Sequence, residues 1–301
     1  MSAAVRFLSS LALLLAAPAF AQGNDMSRVE IKPEPLAPGV AVLFGAGGNI
    51  GVSFGADGTV LIDDQFAPLT PKIQTAVEQL GATPVKYLIN THWHGDHVGG
   101  NENLGKAGAI IMAQEHVRDR LIKGNERTPA SPPVALPVVT YHDGIKLWLN
   151  GDEVRIMHMP HAHTDGDSVI WWTKANVVHM GDLYFNKITL PFIDLSSGGN
   201  ARGMLAAADK VLAMIGDDTK IIPGHGPVAT KADLTGYRDM LKSVIGAVEK
   251  ARGEGKTLTQ IQAMKLAAQW DTNPDAFIKG DAFVEAVYNS LAQPAHSHDE
   301  S

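Results

Sequence analysis

The sequence contains no cysteine, which excludes disulfides, thiolate metal ligands and a cysteine nucleophile. Aromatic residues make up only 6% of the chain, and 25 basic residues face 32 acidic ones, for a formal net charge of -7. The acidic residues are scattered, and there is no basic patch of the kind that binds nucleic acid or an anionic membrane. A small-molecule substrate, which can be hydrophobic, is the partner that these properties leave open.

The N-terminal apolar run is shorter than the roughly 20 residues that a membrane-spanning helix needs. This run, residues 7–17, follows Arg6 and precedes Ala19, Phe20 and Ala21, a small-residue cleavage pattern. The pattern predicts a signal peptide over residues 1–21 and a periplasmic or secreted protein without stable membrane insertion after cleavage. A membrane anchor is the alternative, and the length of the run argues against it.

Strand-like and helix-like patterns alternate along two halves of similar plan. After a proline-rich N-terminal segment, 22–38, strands are expected at 39–44, 49–54, 59–64, 85–90, 109–113, 145–149, 153–158, 168–172, 176–180 and 220–222. Helices are expected at 71–80, 114–122 and about 201–215. The proline-rich stretch 124–137 is either a linker or a loop over a site.

The C-terminal part has a different pattern. Helical spacing of apolar residues starts at Lys231, and two more helical segments are expected around Trp270 and Val287. We therefore divide the chain into a main domain, 39–230, a helical extension, 231–292, and a polar, disordered tail, 293–301. The extension is either a cap over the main domain or a surface for a homo-oligomer.

The stretch THWHGDH, residues 91–97, concentrates metal-binding side chains behind an apolar run. His92 and His94 are two positions apart, so in an extended segment they point the same way. Gly95 then allows a turn that directs Asp96 and His97 towards a second position. Imidazole and carboxylate groups are ligands that zinc accepts. Further ligands are available at three predicted strand ends, at His161 or His163, at Asp182 and at His225.

This stretch resembles the HxHxDH signature of the metallo-β-lactamase superfamily. The pairs His163-Thr164 and Gly181-Asp182 and the PGHG at 223–226 resemble the family's other metal-binding motifs, in the same order, over roughly residues 40–230. The resemblance implies an α/β fold, an αββα sandwich of two similar halves, with two Zn²⁺ ions at one edge. It also favours His163 over His161, because the family's histidine precedes a threonine.

Carried over by position, the resemblance assigns seven metal ligands. One zinc ion would bind His92, His94 and His163, the other would bind Asp96, His97 and His225, and Asp182 would bridge them. The remaining histidines match no motif and are interpreted as structural or solvated: His116, His142, His158, His179, His296 and His298.

This ligand set leaves room for water, unlike a structural zinc closed by four protein ligands. Two ions would make a metal-bridging hydroxide available near neutral pH, and Asp96 could orient this nucleophile and relay its proton. The expected activity is metal-dependent, β-lactamase-like hydrolysis of a lactam, lactone, ester or thioester. Among relatives, a bridging aspartate such as Asp182 is more typical of glyoxalase-type thioesterases and lactonases than of lactamases.

Two alternatives from other classes stay open. The same fold hosts mononuclear iron oxygenases that act on persulfides, and the chain could also be a non-enzymatic zinc-binding or interaction protein. No substrate-binding residue is predicted, although loops 45–49, 124–137 and 186–199 are the candidates. The apolar residues Leu190, Pro191, Phe192 and Ile193 fit a pocket wall or the core equally well.

Overall fold

The computed structural model describes residues 25–82 and 84–292. The predicted signal peptide and the tail 293–301, with His296 and His298, lie outside the described residues. Within the described ranges, no helix combines the length and the apolar character of a membrane span.

Twelve strands in this part of the chain form two sheets. In the first sheet, strands β1 to β4 are antiparallel and β4 to β7 are parallel, and they lie side by side in chain order. Its strands are β1 (Lys32–Ala37), β2 (Val40–Phe44), β3 (Ile50–Ser53), β4 (Thr59–Ile62), β5 (Val85–Ile89), β6 (Ile110–Gln114) and β7 (Val139–Tyr141). The second has the order β12-β11-β10-β9-β8, and only its β11–β12 pair is parallel. Its strands are β8 (Gly144–Leu149), β9 (Asp152–Met159), β10 (Asp167–Trp172), β11 (Val177–His179) and β12 (Lys220–Ile222).

Eight α-helices are present in the described ranges. Four belong to the first half: α1 (Thr70–Gln79), α2 (Gly95–Val98), α3 (Asn101–Lys106) and α4 (Glu115–Lys123). The others are α5 (Ala201–Met214), α6 (Lys231–Gly253), α7 (Leu258–Ala263) and α8 (Gly280–Ser290). A capping box between Thr230 and Asp233 fixes the start of α6, the longest of them.

The strand pattern creates three apolar layers, because alternate side chains point to opposite faces of a sheet. Between the sheets, Val42 and Ile62 belong to one core with Ile170, Trp172 and Ile222. On the outer face of the first sheet, Leu43 and Leu61 share a cluster with residues of α1, and the outer face of the second sheet packs against α5 and α6. The predicted αββα sandwich is confirmed.

Three local predictions need correction. The proline-rich stretch before residue 39 contains β1, which is an edge strand. Pro33 and Pro35 have no backbone N–H to donate, and on the open side of an edge strand no neighbouring strand needs one. Strand β7 was also missed. The helix expected around Trp270 lies earlier, as α7, and residues 264–270 form turns instead. The helices expected after Lys231 and around Val287 are confirmed as α6 and α8.

Candidate metal centre

All seven predicted ligands meet at one edge of the sandwich. His92 and His94 follow β5, while Asp96 and His97 lie in α2; His163, Asp182 and His225 follow β9, β11 and β12. The ligand atoms form two groups, one of His92, His94, His163 and Asp182 and one of Asp96, His97 and His225. Within each group, the ligand atoms lie within 4.8 Å of one another. Backbone elements far apart in sequence therefore build one compact site.

The first group is tightly spaced. Nε2 of His163 lies 2.9 Å from Nδ1 of His94. The Oδ2 atom of Asp182 lies 3.6 Å from Nε2 of His163 and 3.9 Å from Nε2 of His92. Three imidazole nitrogens and one carboxylate oxygen thus face a common point.

The second group shares Asp182 with the first. Nε2 of His97 and Nε2 of His225 are 3.3 Å apart. The Oδ2 atom of Asp96 lies 3.3 Å from Nε2 of His225 and 3.7 Å from that of His97. The other oxygen of Asp182, Oδ1, lies 3.1 Å from Nε2 of His97 and 3.4 Å from that of His225. Asp182 therefore presents one oxygen to each group.

Two buried polar atoms in the site show that it fits a metal. Neither Nε2 of His92 nor Oδ1 of Asp182 has a hydrogen-bond partner, and both atoms are inaccessible to solvent. Leaving such atoms unpaired costs about 1–3 kcal/mol each, more for a charged group. A divalent cation between them would satisfy both, and imidazole and carboxylate are suitable donors for zinc.

Hydrogen bonds behind the site orient four of the imidazoles. His92 donates through Nδ1 to Oγ1 of Thr91 at 3.0 Å, and His97 donates through Nδ1 to Asp63 at 2.8 Å. His94 uses the opposite nitrogen and donates through Nε2 to Asp194 at 2.9 Å. The fourth bond runs from Nδ1 of His163 to the carbonyl of Phe192 at 2.9 Å. Each bond directs the other ring nitrogen towards the centre, which is the orientation that metal-binding histidines require.

Asp63 is the most constrained of these supporting residues. It is fully buried and also accepts hydrogen bonds from the backbone N–H and the hydroxyl of Thr91, both at 2.7 Å. Its φ of 63° lies in the left-handed region, which aspartate and asparagine tolerate better than most other residues with a side chain. Sequence reasoning missed Asp63, although two acids at the end of a strand, TVLIDD, were a usable signal. Asp194 had no such signal.

Glycines allow the close approach of backbone to the ligands. A Cβ at Gly48 would lie 2.1 Å from Cε1 of His97, and one at Gly224 would lie 2.1 Å from Oδ1 of Asp182. No side chain can be accommodated at such distances. Gly95 has a different role from the one expected: it begins α2 without a positive φ, so the turn after His94 is the start of a helix.

Burial and charge divide the histidines into two kinds. Burial lowers the pKa of His163 to about 4 and that of His92 well below its usual range. Burial acts in the same direction on His225, but the carboxylates of Asp182 and Asp96 outweigh it and raise the pKa of His225 to about 9. The same carboxylates raise the pKa of His97. Without a metal, His92 and His163 are therefore neutral near pH 7, whereas His97 and His225 hold protons that a cation would displace.

The other histidines in the described ranges lie outside both groups. His161 has a φ of 49°, and its Nδ1 lies 3.2 Å from the carbonyl of Gly198. His142 is exposed and bonds to Glu115, and His158 contacts the carbonyl of Asp165. His179 is saturated: Nε2 donates to the carbonyl of Asn49 and Nδ1 accepts from the N–H of Gly181. His116 lies beside His158, with 6.4 Å between ring centroids.

The three candidate loops all border the centre. In the first, the N–H of Gly48 donates to the carbonyl of Asp96. In the second, the hydroxyl of Thr128 lies 3.4 Å from the position of a Cβ on Gly95. In the third, Leu190 and Ile193 belong to the core, whereas the Phe192 ring lies on His94 with 5.8 Å between centroids. The apolar stretch 190–193 is thus core at two positions and site wall at another.

A cavity of about 290 Å³ lies between α6, the loop 184–190 and residues 269–276. It contains none of the seven ligands. Phe185 lines it and also stacks on His225, with 5.6 Å between the centroids of the parallel rings, so this side chain contacts both the cavity and the centre.

The family and its members agree with this geometry. Residues 45–226 match the model of the metallo-β-lactamase superfamily. The chain is 27% identical over 182 residues to the "Beta-lactamase-like protein 2 homolog" of Caenorhabditis elegans, covering 57% of this chain and 53% of that protein. It is 29% identical over 119 residues to the hydroxyacylglutathione hydrolase of Rhodospirillum rubrum, covering 39% of this chain and 41% of the enzyme. The chain thus spans about half the length of these curated relatives.

A solved structure shows the same fold. The stereoselective inverting sec-alkylsulfatase from Pseudomonas sp. superimposes with a TM-score of 0.66 at 19% identity, over 86% of this chain and 50% of that chain. At this identity the likeness concerns the fold alone. With the family model matched over more than half of its length and the His/Asp groups in place, the chain belongs to the metallo-β-lactamase superfamily.

Proposed function

We propose that this chain is an exported dinuclear zinc hydrolase that cleaves a carbonyl-type bond in a lactam, lactone, ester or thioester. The observation that carries the proposal is the position of Asp182, whose Oδ2 faces His92 and His163 and whose Oδ1 faces His97 and His225. A carboxylate shared in this way suits two ions held side by side. A site for one structural ion would not need the second group.

In this proposal the chain's residues have distinct roles. One ion would be held by His92, His94 and His163 and the other by Asp96, His97 and His225, with Asp182 between them. Bound there, two zinc ions supply a hydroxide nucleophile near neutral pH and polarise a carbonyl. The side chain of Asp96 is 29% exposed, in contrast to the buried His97, so it can reach an incoming water, orient it and hold its proton.

The choice of bond rests on chemistry and on relatives. The likeness to the hydroxyacylglutathione hydrolase of Rhodospirillum rubrum supports including thioesters in the proposal, because an acyl group on the glutathione sulfur is a thioester. The loops around the centre differ among members of a fold and select the substrate. We therefore propose the carbonyl class as a whole and leave its member to experiment.

A hydrolysis panel tests the activity. The zinc-loaded protein is offered β-lactams, acyl-homoserine lactones, thioesters and phosphodiesters, and we expect metal-dependent turnover of at least one carbonyl substrate. His94→Ala and Asp182→Asn should each lose zinc and turnover while remaining folded. The matched control is His142→Ala, an exposed histidine outside both groups, which should keep both. Unchanged turnover in the two site variants would refute the assignment.

Metal analysis separates the alternatives. Protein purified without added zinc should carry two zinc ions per chain. One iron per chain with oxygen consumption on a persulfide would replace the hydrolase by the oxygenase. Full zinc occupancy without turnover of any substrate would favour the non-enzymatic zinc-binding protein.

Export is tested separately. The sequence pattern at residues 1–21 supports cleavage near Gln22 and release into the periplasm or medium. Fractionation of expressing cells and mass spectrometry of the mature N-terminus check this. A cytoplasmic protein that retains Met1 would contradict it.

A further inference from the structure

Phenylalanine rings border the metal centre of this aromatic-poor chain. Nine phenylalanines occur in 301 residues, and three of them contact the ligands or one another there. The Phe192 ring centroid lies 5.8 Å from that of His94 and 5.5 Å from that of His163. The ring of Phe277 meets Phe192 edge to face at 5.7 Å. Phe185 lies against His225 and is nearly fully buried, whereas Phe192 and Phe277 are only partly buried.

Phe277 comes from outside the matched family region. The family model ends at residue 226, and Phe277 lies in the segment between α7 and α8. Hydrogen bonds tie this segment to the loop after Asp182. The N–H of Ile278 donates to the hydroxyl of Thr189 at 2.8 Å, and the Asn273 amide donates to the carbonyl of Ile188 at 2.6 Å. The segment is closed on itself by a 2.7 Å bond from the N–H of Gly280 to Asp271.

The C-terminal extension thus contributes a side chain to the rim of the centre. Phe192 and Phe277 together, which we call the aromatic wall, stand on the side of the first group, beside His94 and His163. Two partly exposed aromatic rings leave apolar surface in contact with water, which is unfavourable. An apolar substrate group that covers the rings removes this surface from water and thereby gains binding free energy.

The charged side chains close to Phe277 in the chain and in the adjoining loop have partners of their own or are exposed. Asp275, two residues before Phe277, is exposed. The nearest cation along the segment, Lys279, is held by the backbone carbonyls of Asn273 and Pro274 at 2.8 and 2.5 Å. Lys187, in the adjoining loop, forms an ion pair with Asp233 at 2.9 Å. Both lysines therefore already have oxygen partners, and the acidic residue nearest to Phe277 in the chain is exposed.

We infer that the aromatic wall of Phe192 and Phe277 binds the apolar acyl group of an uncharged ester, lactone or thioester. The rings stand beside His94 and His163, so the acyl substituent of a carbonyl held at the first group would have them within reach. This inference rests on the proposed function and gives the C-terminal extension a role in substrate selection. A dicarboxylic acyl group would bring a second carboxylate against these apolar rings, where burial of a charge is unfavourable.

A thioester series measures the preference. The substrates are acetyl, butyryl, hexanoyl and succinyl thioesters of N-acetylcysteamine, and released thiol is read with a thiol reagent, for which a chain without cysteine gives no background. Burial of one methylene raises kcat/KM about fourfold, so burial of two should make the hexanoyl thioester about 15-fold better than the acetyl one. The succinyl thioester should fall below the butyryl one.

Substitutions of Phe277 test whether this residue causes the preference for the longer acyl chain. In Phe277→Ala the ratio of hexanoyl to acetyl kcat/KM should fall about tenfold, whereas Phe277→Leu should keep most of it. The control is Trp148→Ala, which removes a 71% exposed aromatic on β8 and should leave the ratio unchanged. Thermal unfolding of each variant checks its fold. A ratio near one in the wild type, or an unchanged ratio in Phe277→Ala, would overturn the inference.

A binding measurement keeps this test independent of turnover. Calorimetry on the zinc-loaded protein should show hexanoate binding about tenfold more tightly than acetate, with the difference lost in Phe277→Ala. If no thioester, ester or lactone is hydrolysed, the proposed function fails. The calorimetric comparison of hexanoate with acetate still shows whether the aromatic wall binds an apolar group. Tighter binding of succinate than of hexanoate would overturn it and point to Arg127, whose backbone lies in the loop beside Gly95.

Discussion

Replacing Asp63 by asparagine tests whether the residues behind the ligands control the metal. The substitution keeps the size and the tolerance for φ of 63°, so the backbone is not disturbed. One oxygen can still accept from the N–H of Thr91. The new NH₂ group, however, replaces the oxygen that accepts from the hydroxyl of Thr91 and from Nδ1 of His97. The hydroxyl of Thr91 and the Nδ1–H of His97, both donors, then face the amide NH₂, which is also a donor.

The expected effect follows from those two bonds. Each hydrogen bond to a buried carboxylate contributes about 1.5–3 kcal/mol, and the neutral amide avoids part of the cost of burying a charge, so the free energy of unfolding should fall by about 2–4 kcal/mol. The amide also favours the His97 tautomer with its proton on Nε2, the nitrogen that faces the centre. Metal affinity should therefore fall about 10- to 100-fold.

Asp64 provides a matched control. This neighbouring acid is also buried, and burial raises its pKa well above the usual range, which favours the neutral form. Its Oδ1 accepts from the N–H of Gly100, which an asparagine oxygen can also do. Asp64→Asn should change stability by less than about 1 kcal/mol and leave metal affinity unchanged. Urea unfolding and a chelator competition assay measure both quantities; equal zinc affinity in Asp63→Asn and the wild type would refute the reasoning.

Further predictions concern protons, glycines and metal removal. Ligand histidines must be neutral, and the pKa of His225 is about 9, so zinc binding should release protons and become tighter as pH rises from 6 to 9. Calorimetry in buffers of different ionisation enthalpy measures the number of protons released. Proton uptake on zinc binding would contradict this prediction. Gly224→Ala should lower zinc affinity at least about tenfold, because the added Cβ would clash with the Asp182 carboxylate. A Cβ at Gly236, in α6, would meet no atom within 4 Å, so Gly236→Ala should raise the free energy of unfolding in urea by about 0.5–1 kcal/mol. Chelation should lower Tm by about 5–10 °C, and an unchanged Tm would argue against a high-affinity site.

The sequence predicts that the seven candidate ligands lie together, because the fold places them at strand ends. His92 to His97 follow β5 directly, so the motif spacing alone locates four of the seven side chains in one place. The other three follow β9, β11 and β12, and only the family resemblance brings them to the same edge. The separation of His161 from His163 depended on the adjacent threonine, and the backbone turn at His161 was not visible in the pattern.

What the sequence did not predict depends on long-range contacts. Asp194 supports His94 across 100 positions, and the bond from Ile278 to Thr189 spans 89. Neither contact leaves a periodic signal. Strand β1 was missed for a local reason: prolines at 33 and 35 argue against a strand unless the strand is known to lie at an edge.

Anomalous diffraction at the zinc edge, from crystals of the zinc-loaded mature protein, tests the central claim most directly. Two zinc peaks should appear roughly 3.5–4 Å apart, one on each side of the Asp182 carboxylate. One should be bound by His92, His94 and His163 and the other by Asp96, His97 and His225. A single peak, or two peaks that do not share Asp182, would contradict the two-metal hydrolase.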